Sequence, residues 1–198
     1  MNHVVGSLSL ALVLLLSGTA SAASLVVDGD GQLQGARDVL VSGVLYEVQF
    51  RDDSFANIFG DASGLDANSR ADGVLFGQAL LDQVLIDSGA GLFDTDPELT
   101  NGCTNFNDCR VFIPFAVDAL VSSVVVINKR PSATDEISPN DGSTQVDNNL
   151  GDESFWVYAD FTLQQATPAV PSIGPNGLLV LATLAMSASA LAIYRQRS

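Results

Sequence analysis

Hydrophobic positions follow three patterns along the 198 residues. An uncharged, largely apolar run, Leu8 to Leu16, stands near the start, and a second, Gly177 to Tyr194, near the end. Between them apolar and polar residues alternate over short stretches, as in half-buried strands, with one stretch at helical spacing.

The middle reads as follows. Asp28-Gly29-Asp30-Gly31 forms a turn, and Gln32 to Ala36 leads into a short strand at Val39-Leu40-Val41. Ser42-Gly43 suits a two-residue hairpin, after which Val44, Tyr46, Val48 and Phe50 alternate with Leu45, Glu47, Gln49 and Arg51. Arg51 to Ser69 reads as a polar loop. From Asp72 to Asp87 the period changes: Phe76, Leu80 and Val84 recur every four residues, with Leu81 and Leu85 beside them and Asp82 and Gln83 opposite. That predicts an amphipathic helix with Asp72 as N-cap, stopped by Gly89-Ala90-Gly91. Val111 to Phe115 and Ala119 to Asn128 are strand-like, and Lys129 to Leu150 reads as a polar loop. Phe155, Val157, Ala159, Phe161 and Leu163 alternate with Trp156, Tyr158, Asp160 and Thr162, and aromatics on both faces place this strand centrally. The expectation is an α+β domain, an antiparallel sheet of about four to six strands with one long amphipathic helix.

The two apolar runs read as transport signals. Leu8 to Leu16 is short for a bilayer span and is followed by Ala20-Ser21-Ala22, small residues at the positions that signal peptidase reads, so cleavage is expected after Ala22. The segment Met1 to Gly6 departs from the usual pattern in having no Lys or Arg. The residues from Gly177 to Tyr194 would make a helix of about 27 Å, close to a hydrocarbon core of roughly 30 Å. Arg195 and Arg197 follow it, which under the positive-inside rule leaves the tail cytoplasmic. Pro168, Pro171 and Pro175 precede it in an extended tether. The expected divisions are a signal peptide (1–22), an acidic extracytoplasmic α+β domain (23–166), a tether with a sorting motif (167–176), a transmembrane helix (177–194) and a basic tail (195–198).

Val170-Pro171-Ser172-Ile173-Gly174-Pro175-Asn176-Gly177, an apolar helix and terminal arginines together resemble the tripartite C-terminal sorting signals handled by exosortase-type enzymes of Gram-negative bacteria. The variant reading Ile-Pro-Thr-Leu-Ser-x-x-Gly is the nearer form, matched or nearly matched at Val170, Pro171, Ser172, Ile173 and Gly177; the Pro-Glu-Pro variant has a Glu that this chain lacks. The resemblance implies transient anchoring in the inner membrane, cleavage near the motif by an exosortase-like membrane protease, delivery to the cell surface or extracellular matrix, and exopolysaccharide as a partner. The middle, in GVLYEVQFRDDSFANIF and QALLDQVL, vaguely resembles uncharacterised exported proteins with such tails.

Charge sharpens the division. The net charge is −15, yet every carboxylate lies between Asp28 and Asp160, so residues 23–170 hold six bases against 23 acids, a net of −17. Such a domain repels polyanions, which excludes phosphate-mediated binding of nucleic acid. Cys103 and Cys109, in a turn-rich segment of an exported chain, are expected to form a disulfide. The only histidine is His3, inside the predicted signal, so histidine-based triads and the usual zinc sites are excluded from the mature chain. Two carboxylate chemistries survive. Calcium could be held by Asp28 and Asp30, by Asp94, Asp96 and Glu98, or by the loop from Asp135 to Glu153; none completes an EF-hand. A glycosidase needs two carboxylates across a cleft. The leading expectation is a non-catalytic exported envelope or matrix protein without a cofactor, and the rival a secreted carboxylate-based glycan hydrolase.

Overall fold

The computed structural model describes residues 22–131 and 134–164. The signal segment up to Ser21, including Ala20, and the tether, sorting motif, apolar segment and Arg195 and Arg197 lie outside the described residues. In chain order the elements are β1 (Ser24–Val27), β2 (Leu33–Val41), β3 (Val44–Arg51), α1 (Phe55–Phe59), α2 (Arg70–Gln83), β4 (Asp87–Ser88), β5 (Gly91–Leu92), β6 (Asp108–Val117), β7 (Val121–Lys129), β8 (Glu136–Ile137), β9 (Gly142–Thr144) and β10 (Trp156–Leu163).

Eight of these strands form one sheet in the order β1-β2-β3-β10-β6-β7, with β8 and β9 both paired to β7; β4 and β5 form a separate small hairpin. The α+β class is as expected, but the sheet is larger than four to six strands and it is mixed. The last strand, β10, enters between two antiparallel units, antiparallel to β3 and parallel to β6. Strands β1, β8 and β9 are two to four residues long, too short to show a period, and the last two fall in the stretch read as polar loop.

Turns follow local chemistry. Val41 pairs with Val44 across Ser42 and Gly43, both at positive φ (50° and 87°), which is the two-residue hairpin that the sequence predicts. The long helix starts earlier and ends sooner than its hydrophobic period suggests. Ser69, not Asp72, is the N-cap: its Oγ accepts from the Asp72 backbone N–H, and Asp72 Oδ2 accepts in return from the Ser69 hydroxyl. The helix ends at Gln83, and the residues read as its last turn become a cap and the β4–β5 hairpin. Within the predicted loop 51–69 stands α1, capped by Ser54 and anchored by fully buried Phe55.

Both faces of the sheet are covered. On one, α2 packs on β2, β6, β7 and β8 over Val39, Val48, Val111, Val126 and Phe161. On the other, Phe55, Phe112, Val125, Leu150 and Tyr158 form a second cluster, in which Tyr158 hydrogen-bonds Thr144 at 2.7 Å. Central β10 supplies both clusters, Val157, Ala159 and Phe161 to one and Tyr158 to the other, with Trp156 packed against the second. Among the described residues no helix is long and apolar enough to cross a membrane. The span predicted at 177–194 is outside them.

Candidate functional site

Residues predicted from sequence divide three ways. Cys103 and Cys109 form the expected disulfide, with Cα atoms 5.7 Å apart and both residues buried, fastening the loop ahead of β6. Asp28 spends its carboxylate on its own turn: Oδ1 accepts from the backbone N–H groups of Asp30 and Gln32, and Oδ2 from Gln34 Nε2. Asp94, Asp96 and Glu98 do not converge as a set, since among the described residues no three acidic, histidine or cysteine side chains gather in a metal-holding group.

One cavity lies on the sheet face away from α2. Parallel pairing sets Trp156 of β10 opposite Arg110 of β6 and Tyr158 opposite Phe112, while antiparallel pairing sets Phe112 opposite Val125 of β7. Arg110, Phe112, Val125, Ile127 and Trp156, with Ser138 and the segment 140–143, line a space of about 290 Å³. The rings of Phe112 and Trp156 stand 5.4 Å apart at 57°, and Phe155 meets Trp156 edge-on at 5.5 Å. The Arg110 guanidinium lies 5.2 Å from the Phe155 ring centre and its Nε donates to Asp108. These contacts fix an otherwise flexible cation at the rim.

The opposite rim is held from outside. Arg70, first residue of α2, donates from Nε to Asp141 Oδ1 at 2.6 Å and from Nη2 to the Pro139 carbonyl at 3.2 Å. Gly142 lets this segment descend onto the floor, because a Cβ there would stand 2.6 Å from Phe112 Cε1 and 2.7 Å from Val125 Cγ2. The result is an aromatic wall facing amide, carboxylate, guanidinium and hydroxyl groups. The Trp156 Nε1–H is buried and without a partner among the described residues. Such a groove suits a ligand with an apolar C–H face and a rim of hydroxyls. The sequence shows Trp156 only as one of the aromatics on the two faces of a central strand; pairing of β10 with β6 and the descent of 140–143 make the site.

A second cleft of about 250 Å³ lies under the β2–β3 turn, between Tyr46, Phe76, Asp66, Asn68 and Asp72. Burial raises the carboxyl of Asp66, and nearby Asp160 adds to it. Asp160 is itself raised by burial, although Arg51 lies 3.2 Å away and pulls the other way. Burial, then Asp66 and Asp72, raise the Tyr46 phenol, so it stays protonated in this acidic setting. Asp72 is already engaged in capping α2.

A third cluster joins two predicted calcium segments. Asp94 comes within hydrogen-bonding reach of Asp135, first residue of the 135–153 loop. Burial, reinforced by Asp94, pushes the Asp135 carboxyl up to about 6, against the pull of the Lys129 backbone N–H and side chain. Asn128, fully buried, belongs to the same neighbourhood, its Nδ2 donating to the carbonyl of Phe93 at 2.7 Å. Nothing in the sequence marked Asn128, which reads there as the end of a strand.

No protein-family model, curated protein or solved structure matches the chain.

Proposed function

We propose that this is a non-catalytic exported protein of the cell envelope or extracellular matrix, sorted by its C-terminal motif, helix and arginines, whose folded domain holds polysaccharide in the Trp156 groove. The observation that carries the reading is the pairing of the Phe112–Trp156 wall with the Arg110, Asn140 and Asp141 rim in one cavity. Sugar rings offer apolar C–H faces and equatorial hydroxyls, and this wall and rim answer both. The Cys103–Cys109 disulfide supports an oxidising, extracytoplasmic setting. The acidic surface favours neutral or cation-bridged glycans over polyanions.

Affinity electrophoresis of the full chain through gels containing purified matrix polysaccharide tests it. Retardation is expected, with Trp156→Ala weakening it at least tenfold while circular dichroism stays native. Equal retardation of the two proteins would sink the groove reading.

A second reading, a carboxylate glycan hydrolase, draws on one observation: Asp66, with its raised carboxyl, and Asp72 line the same cleft beside Tyr46. Asp66 would be the proton donor there, and the commitment of Asp72 to the helix cap weighs against its serving as nucleophile or base. Release of reducing ends in the same incubation, abolished by Asp66→Asn, would favour the enzyme.

A further inference from the structure

Asp94, Asn128 and Asp135 bring oxygen-bearing side chains into one neighbourhood. In the β6–β7 ladder Asn128 lies opposite Cys109, so its side chain shares the α2 face with Val126 and Val124. In the β7–β8 ladder Ile127 pairs with Glu136 and Val126 with Ile137; carrying that register one step further sets Asp135 opposite Asn128 and on the same face. Asp94 comes to this point from the β4–β5 side. Asp87 Oδ1 accepts from the backbone N–H groups of Asp94 and Thr95, and Asp87 Oδ2 from the Thr95 hydroxyl, which holds the turn that presents Asp94. Asn128 Nδ2 grips the carbonyl immediately before Asp94.

What remains free is oxygen. Asn128 is 0% exposed, and its Oδ1 has no partner among the described residues. Asp135 Oδ1 accepts from the Lys129 backbone N–H at 2.6 Å, but its Oδ2 is buried with no donor bonded to it among the described residues, the group within reach, Asp94, being itself a carboxylate. Two carboxylates and an orphaned amide oxygen thus share one neighbourhood, and among the described residues no cationic side chain is bonded to them: Lys129, whose backbone N–H meets Asp135, directs its ammonium to Glu136 at 2.6 Å. A buried acceptor left unmatched loses its hydration without compensation, and two adjacent carboxylates add repulsion. A hard divalent cation removes both costs at once. It accepts only oxygen donors, and calcium in particular tolerates donors from separate, unevenly spaced segments completed by water. Asp94 is exposed, which leaves the cluster an entry from solvent.

We propose that Asp94, Asn128 and Asp135 form a calcium-binding site that ties the β4–β5 turn to β7 and the start of β8. Asp94 and Asn128 lie 34 residues apart in the chain, so the ion would act as a cross-link beside the hydrogen bond from Asn128 to the Phe93 carbonyl. Asp96 and Asp28, named with the calcium candidates in the sequence, have no part in it.

The test uses the full chain, stripped with chelator and titrated with calcium chloride, followed by isothermal titration calorimetry and by the thermal unfolding midpoint. The wild type is expected to show saturable heat and a midpoint that rises by several degrees at millimolar calcium. Asp135→Asn and Asp94→Asn should each weaken binding at least tenfold, and Asp96→Asn should bind as the wild type does. Should Asp135→Asn fail to fold, the exposed Asp94→Asn decides alone. The proposal is overturned if the wild type gives no saturable heat or midpoint shift, if Asp94→Asn binds as tightly as the wild type, or if Asp96→Asn loses binding equally.

Discussion

Asp66 is caught between two forces of the same sign. Burial disfavours its charge, and the nearby carboxylate of Asp160 disfavours it further, so its folded-state pKa lies above the ordinary value of 3.8. An acid raised in this way binds its proton more tightly in the folded chain than in the unfolded one. The associated stability is fully present below pH 3.8 and is lost as the pH rises through the raised value. Asp160 contributes with the same sign, because burial outweighs its 3.2 Å ion pair with Arg51. Asp87 opposes them, its carboxyl lowered chiefly by the Thr95 hydroxyl. Replacing Asp66 with Asn removes one titration and leaves the others. Thermal midpoints of Asp66→Asn should therefore gain on the wild type between pH 4 and pH 7, and parallel curves would show that Asp66 feels no such conflict. Residue chemistry also explains why the disulfide could be read in advance. Two cysteines with five residues between them in an exported chain leave one simple pairing, and closing so short a loop contributes about 2 kcal/mol.

Helix α2 shows how an element can be recognised while its limits are missed. Its apolar spacing identifies it, but its start is set by a cap that periodicity does not register: the hydroxyl of Ser69 satisfies an amide of the first turn, and Asp72 closes the exchange. Ser69→Ala should cost about 1 kcal/mol, read as a lower urea midpoint at unchanged slope, with Asp72 left in place as a helix residue. A loss similar to that of Asp72→Ala would fit, since both partners of the exchange are removed in turn. Strands β3 and β10 show themselves by alternation and β6 and β7 by apolar runs, but of nine-residue β2 only Val39–Val41 reads as strand, and two-residue β8 depends on Val126 and Ile127 for its existence and has no period of its own. The candidate sites lie at the same limit. Trp156 and Arg110 become neighbours only through a parallel pairing between strands distant in sequence, and Asp94 and Asp135 only through a turn held by Asp87. Sequence could nominate the acids one loop at a time. It had no means of choosing Asn128, whose significance is that its carbonyl oxygen is buried and unmatched.

At the scale of the whole molecule, the position of β10 bears on the proposed sorting. The last strand of the described domain is also central, flanked by β3 and β6, and its final pairs are Thr162 with Glu47 and Leu163 with Tyr46. Gln164 adds one more backbone bond, to the carbonyl of Leu45. All of these contacts lie before the motif at Val170 to Gly177, so a protease cutting there would leave every described sheet hydrogen bond in place. At the other end, β1 begins at Ser24, two residues beyond Ala22, and pairs with β2 from Ser24 opposite Arg37. Removal of residues 1–22 would likewise leave the described β1–β2 pairs in place. The product would carry 23 acids against six bases, and charge repulsion favours its solubility once the apolar ends are gone. Intact-mass spectrometry of the protein recovered from the cell surface or medium should give a species that begins at Ala23, ends between Val170 and Gly177 and is two mass units below its fully reduced form. Its thermal midpoint should match that of the membrane-held precursor, because cleavage at either site leaves every described strand in place. Recovery only of chains extending through Arg197, confined to the inner membrane, would overturn processing and release while leaving the groove and the cation site to stand on their own tests.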